Sequence, residues 1–108
     1  MKIFDYCSSG GKNLITEYIE KLDSKTKETI YYARELIYRY GVDGLDSLNC
    51  KKLYKKVYEI KIKNQRIAYY LNNDCIYFIH IFKKQKNKTK QNDLKIIKQR
   101  FNKIDKRR

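Results

Sequence analysis

Just past Gly44 the hydrophobic period of this chain changes from about 3.6 residues to about 2, and few folds accommodate that order of parts. Before the change, Leu14, Ile15, Tyr18, Ile19 and Leu22 fall at helical spacing, and Asp23-Ser24 interrupts the run. Ser24 is placed to cap a second helix whose stripe is Ile30, Ala33, Ile37 and Tyr40. Gly41 suits the position after that helix, where a left-handed backbone is common. Two helices with so short a link predict an antiparallel hairpin. Residues 1–6 alternate weakly and allow a short strand, and Gly10-Gly11 marks a turn.

After the change, residues 51–54 predict a short strand and residues 57–63 alternate clearly. Tyr58, Ile60 and Ile62 share one face, and Glu59, Lys61 and Lys63 the other. Asn64-Gln65 is expected to turn the chain. Residues 66–71 alternate again, with Ile67, Tyr69 and Leu71 opposed by Arg66, Ala68 and Tyr70. A second turn is expected at Asn72-Asn73-Asp74. Residues 75–82 are apolar on both faces and predict a central strand. A basic connector, residues 83–90, leads to Thr89 as the expected cap of a last helix with a stripe of Leu94, Ile97, Phe101 and Ile104. The fold class is therefore α+β: an N-terminal helical hairpin packed on a small twisted antiparallel sheet, with a C-terminal helix. One domain is expected to span residues 1–108. The hairpin covers one sheet face, which leaves Glu59, Lys61 and Arg66 together on an open face.

Charge says what such a face is for. The formal net charge is +14, unevenly spread. Residues 1–50 hold 7 Lys/Arg against 8 Asp/Glu, a net of −1, whereas residues 51–108 hold 19 against 4, a net of +15. Lys, Asn, Ile and Tyr abound while Pro and Trp are absent, as A/T-rich codons produce, but codon bias leaves a neutral first half unexplained. Clustered cations gain affinity for a polyanion by releasing its counterions, so nucleic acid is the expected partner class. The three cysteines (Cys7, Cys50, Cys75) are scattered and lack CxxC spacing, which fits reduced thiols rather than a disulfide frame or a zinc site. With one histidine and few, scattered carboxylates in the basic half, the reading is metal-free and cofactor-free. No apolar run approaches the ~18 residues of a membrane span, and the N-terminus lacks a signal-peptide core, so a cytoplasmic location is expected.

Five short elements then occur in order: Lys51-Lys52-Leu53; Val57-Tyr58-Glu59-Ile60-Lys61; Gln65-Arg66-Ile67-Ala68-Tyr69; His80-Ile81-Phe82-Lys83-Lys84-Gln85; and Lys88-Thr89-Lys90 followed by Asp93-Leu94, Ile97 and Arg100. With these the chain resembles the phage-derived, HigB-like branch of the RelE/ParE toxin superfamily over about half its length. It departs from that pattern at Lys61, where arginine is usual, at Gln85, where a second lysine is usual, and in lacking a proline after Thr89.

The resemblance implies a toxin of a type II toxin–antitoxin pair that cuts messenger RNA, usually in the ribosomal A site. The 2′-hydroxyl attacks the adjacent phosphate, leaving a cyclic phosphate and a 5′-hydroxyl. That chemistry needs a group to take the 2′-proton, charge to stabilise the phosphorane and an acid for the leaving oxygen. Arg66 is the first candidate for phosphate stabilisation, because its fork holds two oxygens and stays charged. Lys61 and Lys84 are the next candidate catalytic groups, and His80 is a further one because it titrates in the useful range. Lys63, Lys83, Lys86, Lys88 and Arg100 are candidate RNA contacts. Glu59 is expected to pair with and orient Lys61, with a role as base the alternative. Tyr69 and Tyr70 are weighed as base-stacking rings, although Tyr69 faces the hairpin. A cognate antitoxin is the implied protein partner. Two alternatives stay open: a ParE-like toxin that poisons DNA gyrase, and a non-catalytic basic module or decayed toxin.

Overall fold

A computed structural model describes residues 1–84 and 91–106. Its elements run β1 (Lys2–Asp5), α1 (Leu14–Glu20), α2 (Ser24–Tyr40), α3 (Val42–Asp46), β2 (Asn49–Tyr54), β3 (Val57–Ile62), β4 (Gln65–Asn72), β5 (Cys75–Lys83) and α4 (Gln91–Lys106). The class is α+β as expected, and the strand allowed in residues 1–6 forms as β1 ahead of the helical hairpin. Two differences remain: a third helix follows the hairpin, and the sheet is mixed rather than antiparallel. Strand order is β1-β5-β4-β3-β2, and β1 lies parallel to β5 with Lys2 opposite Cys75 and Asp5 opposite Phe78. That pairing joins segments some seventy residues apart, which a local alternation pattern cannot show. Once formed, it is tied to α2: Arg34 holds Asp5 through a forked pair at 2.7 and 3.1 Å, and Asn13 Nδ2 donates to the same carboxylate at 3.0 Å.

Local chemistry explains most element ends. Asn13 caps α1, its Oδ1 accepting from the Ile15 and Thr16 amides at 3.0 and 2.9 Å. Asp23, not Ser24, caps α2, accepting from the Thr26 amide at 3.0 Å, so Ser24 becomes the first helical residue. Gly41 ends α2 at φ 60 and donates its amide to the Ile37 carbonyl. The β3–β4 turn is Lys63-Asn64 rather than Asn64-Gln65. Lys63 takes a positive φ there, and Gln65 enters β4, where its Oε1 accepts from the Tyr18 hydroxyl at 2.8 Å.

Helices pack on both sheet faces. On one, Ile15 and Ile19 of α1, Ile30, Ala33 and Ile37 of α2, and Leu45 of α3 meet Ile60, Ile62, Ile67, Tyr69, Ile76, Phe78 and Ile81. On the other, Ile97, Phe101 and Ile104 of α4 meet Val57, Ala68, Tyr70, Ile79 and Phe82. The face expected to be open is thus largely roofed by α4. What stays accessible is the end of that face where Glu59, Lys61 and Arg66 point. A bulge in β5 helps set this pattern: Ala68 pairs with His80 but Tyr69 with Phe78, leaving Ile79 as the extra residue. Parity switches across the bulge, so Ile79 joins the α4-side cluster while Ile81 joins the opposite one.

Gly44 lets α3 lie against α2, because a Cβ there would collide with the Leu36 carbonyl. Gly44→Ala is therefore expected to cost about 1–3 kcal/mol through overpacking, read as a lower denaturation midpoint at unchanged m-value. A midpoint equal to that of the parent chain would show that α3 shifts freely.

Candidate functional site

The end of the sheet left uncovered by α4 forms a cleft of about 220 Å³ lined by Asn49, Lys51, Glu59, Lys61, Arg66 and Lys84. Strand register builds it. Lys51 of β2 lies directly opposite Glu59 of β3, and Lys61 of β3 opposite Arg66 of β4. Lys84 follows β5, anchored by its amide to the Asn64 carbonyl at 2.8 Å. Glu59 is the most enclosed of these residues, only 1% exposed, with Lys51 Nζ 3.3 Å from its Oε1. Despite that proximity, neither Glu59 oxygen receives a hydrogen bond. Arg66 is 7% exposed, and its Nη1 donates to the Lys63 and Gln65 carbonyls at 3.0 and 2.9 Å. The β3–β4 turn therefore holds the guanidinium in place from behind. Partial desolvation lowers the Lys84 pKa, and the neighbouring Lys51 ammonium adds to the shift. Four cations around one carboxylate suit a phosphate that carries a proton donor beside it.

Of the residues expected from sequence, Arg66, Lys61 and Lys84 meet in this cleft. Lys63, in the β3–β4 turn, and Lys83, opposite Gln65, are exposed at the same end of the sheet. Lys86 and Lys88, with Thr89, lie outside the described residues. His80 and Arg100 do not line the cleft. His80 lies where β5 meets α4, its Nε2 2.8 Å from Asp93 Oδ1 and its ring stacked on Phe82. Arg100 Nη1 donates to the Ile79 carbonyl at 2.9 Å and approaches His80 Nδ1 at 3.5 Å, and the guanidinium lies over the Tyr6 ring. Glu59 pairs with Lys51 across the strands, not with Lys61 along its own strand. Tyr69 and Tyr70 are both buried, so neither ring is available for a base. Asn49 and Lys51 were not among the site residues expected from sequence, although Lys51 opens the first of the five elements. The signal for Lys51 was an opposite-charge pair across β2 and β3, legible only once the register is known. Among the described residues, no three His, Cys, Asp or Glu side chains converge as metal ligands.

Residues 17–102 match the family described as Phage derived protein Gp49-like (DUF891). The chain belongs to the Gp49-like family. That family is one of RelE/toxin-like proteins, which agrees with the resemblance carried by the five elements at the level of the superfamily. The six described residues lining the cleft of this Gp49-like chain fall inside the match. No curated protein matches the chain. Among the described residues, no helix is long and apolar enough to cross a membrane.

The α4 clasp of this Gp49-like protein has its own pH signature. Burial lowers the His80 pKa below its usual value of about 6.5, and the Arg100 charge adds to the effect while Asp93 opposes it. The unfolded chain therefore binds the proton first. His80's contribution to stability is complete above the unfolded value and is lost as pH falls from about 6.5 through the folded-state value. The Tm advantage of the parent chain over His80→Gln should thus shrink as pH falls from about 7.5 to about 5. An advantage that stays constant with pH would count against this assignment.

Proposed function

We propose that this chain is the toxin of a type II toxin–antitoxin pair, of the HigB-like branch, and that it cleaves messenger RNA in the cleft between β2, β3, β4 and the end of β5. The observation that carries this reading is the convergence of Lys51, Lys61, Arg66 and Lys84 on a small cleft floored by a buried carboxylate. RNA brings its own nucleophile, so the protein's task is electrostatic and acid–base. Arg66, already oriented by two backbone carbonyls, presents fixed charge to the phosphorane and needs no reorganisation as the reaction proceeds. Lys61 adds a second cation directly across the strand pair. Lys84, at the rim of the cleft and with its pKa lowered by partial desolvation and by Lys51, is suited to protonate the leaving 5′-oxygen.

The surrounding charge supports the same substrate. The net +15 of residues 51–108 steers a polyanion toward this end of the molecule, and Lys63 and Lys83 flank it. Messenger RNA held on a ribosome in the cytoplasm is the substrate this reading names. An antitoxin that masks a basic cleft would present acidic surface to it, and the toxin-like family makes such a partner the expected one.

The test is induction of the chain in a tightly repressed bacterial host beside an Arg66→Ala variant, with growth followed and RNA 5′ ends mapped. Growth arrest with new 5′-hydroxyl ends inside coding regions, both absent from the variant, is the expected result. Arrest with intact RNA would instead indicate a gyrase poison. Soluble protein without arrest would indicate a binding module.

A further inference from the structure

We propose that Glu59 is the group that accepts the 2′-hydroxyl of the substrate ribose and takes its proton during attack, which makes it the residue that restricts this cleft to RNA. The assignment rests on the cleavage reading above. It is motivated by a carboxylate that the fold encloses with one ammonium beside it and no hydrogen bond to either oxygen. A buried carboxylate with both oxygens unbonded is costly, and purely structural carboxylates are surrounded by N–H or O–H groups. The Lys51 ammonium is near at 3.3 Å but makes no hydrogen bond to the carboxylate, and Arg66 commits Nη1 to the Lys63 and Gln65 carbonyls. Lys51 supplies counter-charge at 3.3 Å, yet it is itself 60% exposed, so the pair does not need to be buried for its own sake. With Lys51 beside Oε1 alone and no hydrogen bond to either oxygen, Glu59 has room to accept from a donor that arrives with the ligand.

Ligand chemistry follows from the walls. Lys51, Lys61, Arg66 and Lys84 select a phosphodiester, and Glu59 would repel one unless a hydroxyl lay next to it. A ribonucleotide 3′-phosphate offers that pair of groups on adjacent carbons, and a deoxyribonucleotide does not. In the step itself, the 2′-O–H bond breaks and its proton passes to a Glu59 oxygen while the 2′-oxygen forms a bond to phosphorus. The bond from phosphorus to the 5′-oxygen breaks, and that oxygen takes a proton from the Lys84 ammonium. The products are a 2′,3′-cyclic phosphate and a 5′-hydroxyl. Solvent then returns one proton to Lys84 and removes one from Glu59, restoring both groups.

The experiment pairs a variant with a measurement on the unaltered chain. Glu59→Gln should cleave RNA under single-turnover conditions about 100-fold or more slowly, the scale of a lost general base. Its Tm should equal or exceed that of the parent chain, because the charge left behind on Lys51 stays solvated. A 5′-bridging phosphorothiolate substrate, whose sulfur leaves without a proton, should rescue Lys84→Ala but not Glu59→Gln. On the unaltered chain, a ribonucleoside 3′-phosphate should bind about tenfold tighter than its 2′-deoxy counterpart, the scale of one hydrogen bond to a charged group. Cleavage by Glu59→Gln within tenfold of the parent rate, rescue of that variant by the sulfur leaving group, or equal binding of the two nucleotides would each overturn the assignment. Failure of the unaltered chain to cleave RNA, free or on ribosomes, would overturn the parent reading and this one with it.

Discussion

Arg66→Ala is expected to lower the single-turnover rate of RNA cleavage by about 10²–10³-fold, the usual loss on removing one preorganised transition-state donor. Three observations set the size of the effect. The guanidinium lines the cleft, its Nη1 is fixed by the Lys63 and Gln65 carbonyls, and the residue opposite it on β3 is Lys61. A fixed planar fork provides stabilisation that a mobile ammonium cannot reproduce, so Arg66→Lys should recover only part of the loss. Both variants also release two backbone carbonyls, at about 1 kcal/mol for each hydrogen bond. Tm measured alongside the rate separates this modest structural cost from the chemical one. A rate for Arg66→Ala within tenfold of the parent chain, with Tm maintained, would remove Arg66 from the reaction.

Phe101→Ala should be the most damaging single change to stability among the α4 contacts, at about 3–5 kcal/mol. Phe101 is buried, meets Tyr70 edge-on at 5.2 Å and Tyr54 edge-on at 6.2 Å, and sits in the α4-side cluster between Ile97 and Ile104. Alanine removes the ring from both contacts and opens a cavity that a sheet on one side and a helix on the other cannot readily collapse. Tm is expected to fall by more than about 10 °C. The described cleft residues lie on β2, β3 and β4 or, as Lys84, just past β5, so the variant should still cleave RNA at temperatures where it remains folded. Loss of cleavage in the folded variant would mean that α4 contributes to the site directly.

These two residues also differ in how far they could be read in advance. Ile97, Phe101 and Ile104 recur at helical spacing, so their shared burial against the sheet follows from a period that any stretch of backbone carries locally. The same holds for the faces of β3 and β4. Alternation alone places Glu59, Lys61 and Arg66 on one side and Ile60, Ile62 and Ile67 on the other, and the structure keeps that division. Arg66 and Lys61 were therefore legible as neighbours before any fold was known.

What only the tertiary structure decided is long in range or turns on a single residue of register. The parallel pairing of β1 with β5 depends on where the intervening helices and strands place their ends, and β1's own pattern is too short to declare it. One extra residue at Ile79 reverses the parity of β5 and brings His80, opposite Ala68, onto the α4-covered face, where it meets Asp93 and Arg100 rather than the cleft. The roof over the supposedly open face is another such outcome, since an amphipathic helix does not encode which sheet face receives it. Glu59 shows the limit most clearly. Its residue type and its face were determined by the sequence, but its partner was not. Lys51 comes opposite it through the β2–β3 register, while Arg66 turns to the backbone of its own turn. Periodicity belongs to the local chain, whereas the contacts that enclose Glu59 beside Lys51 exist only when the strands have found their register.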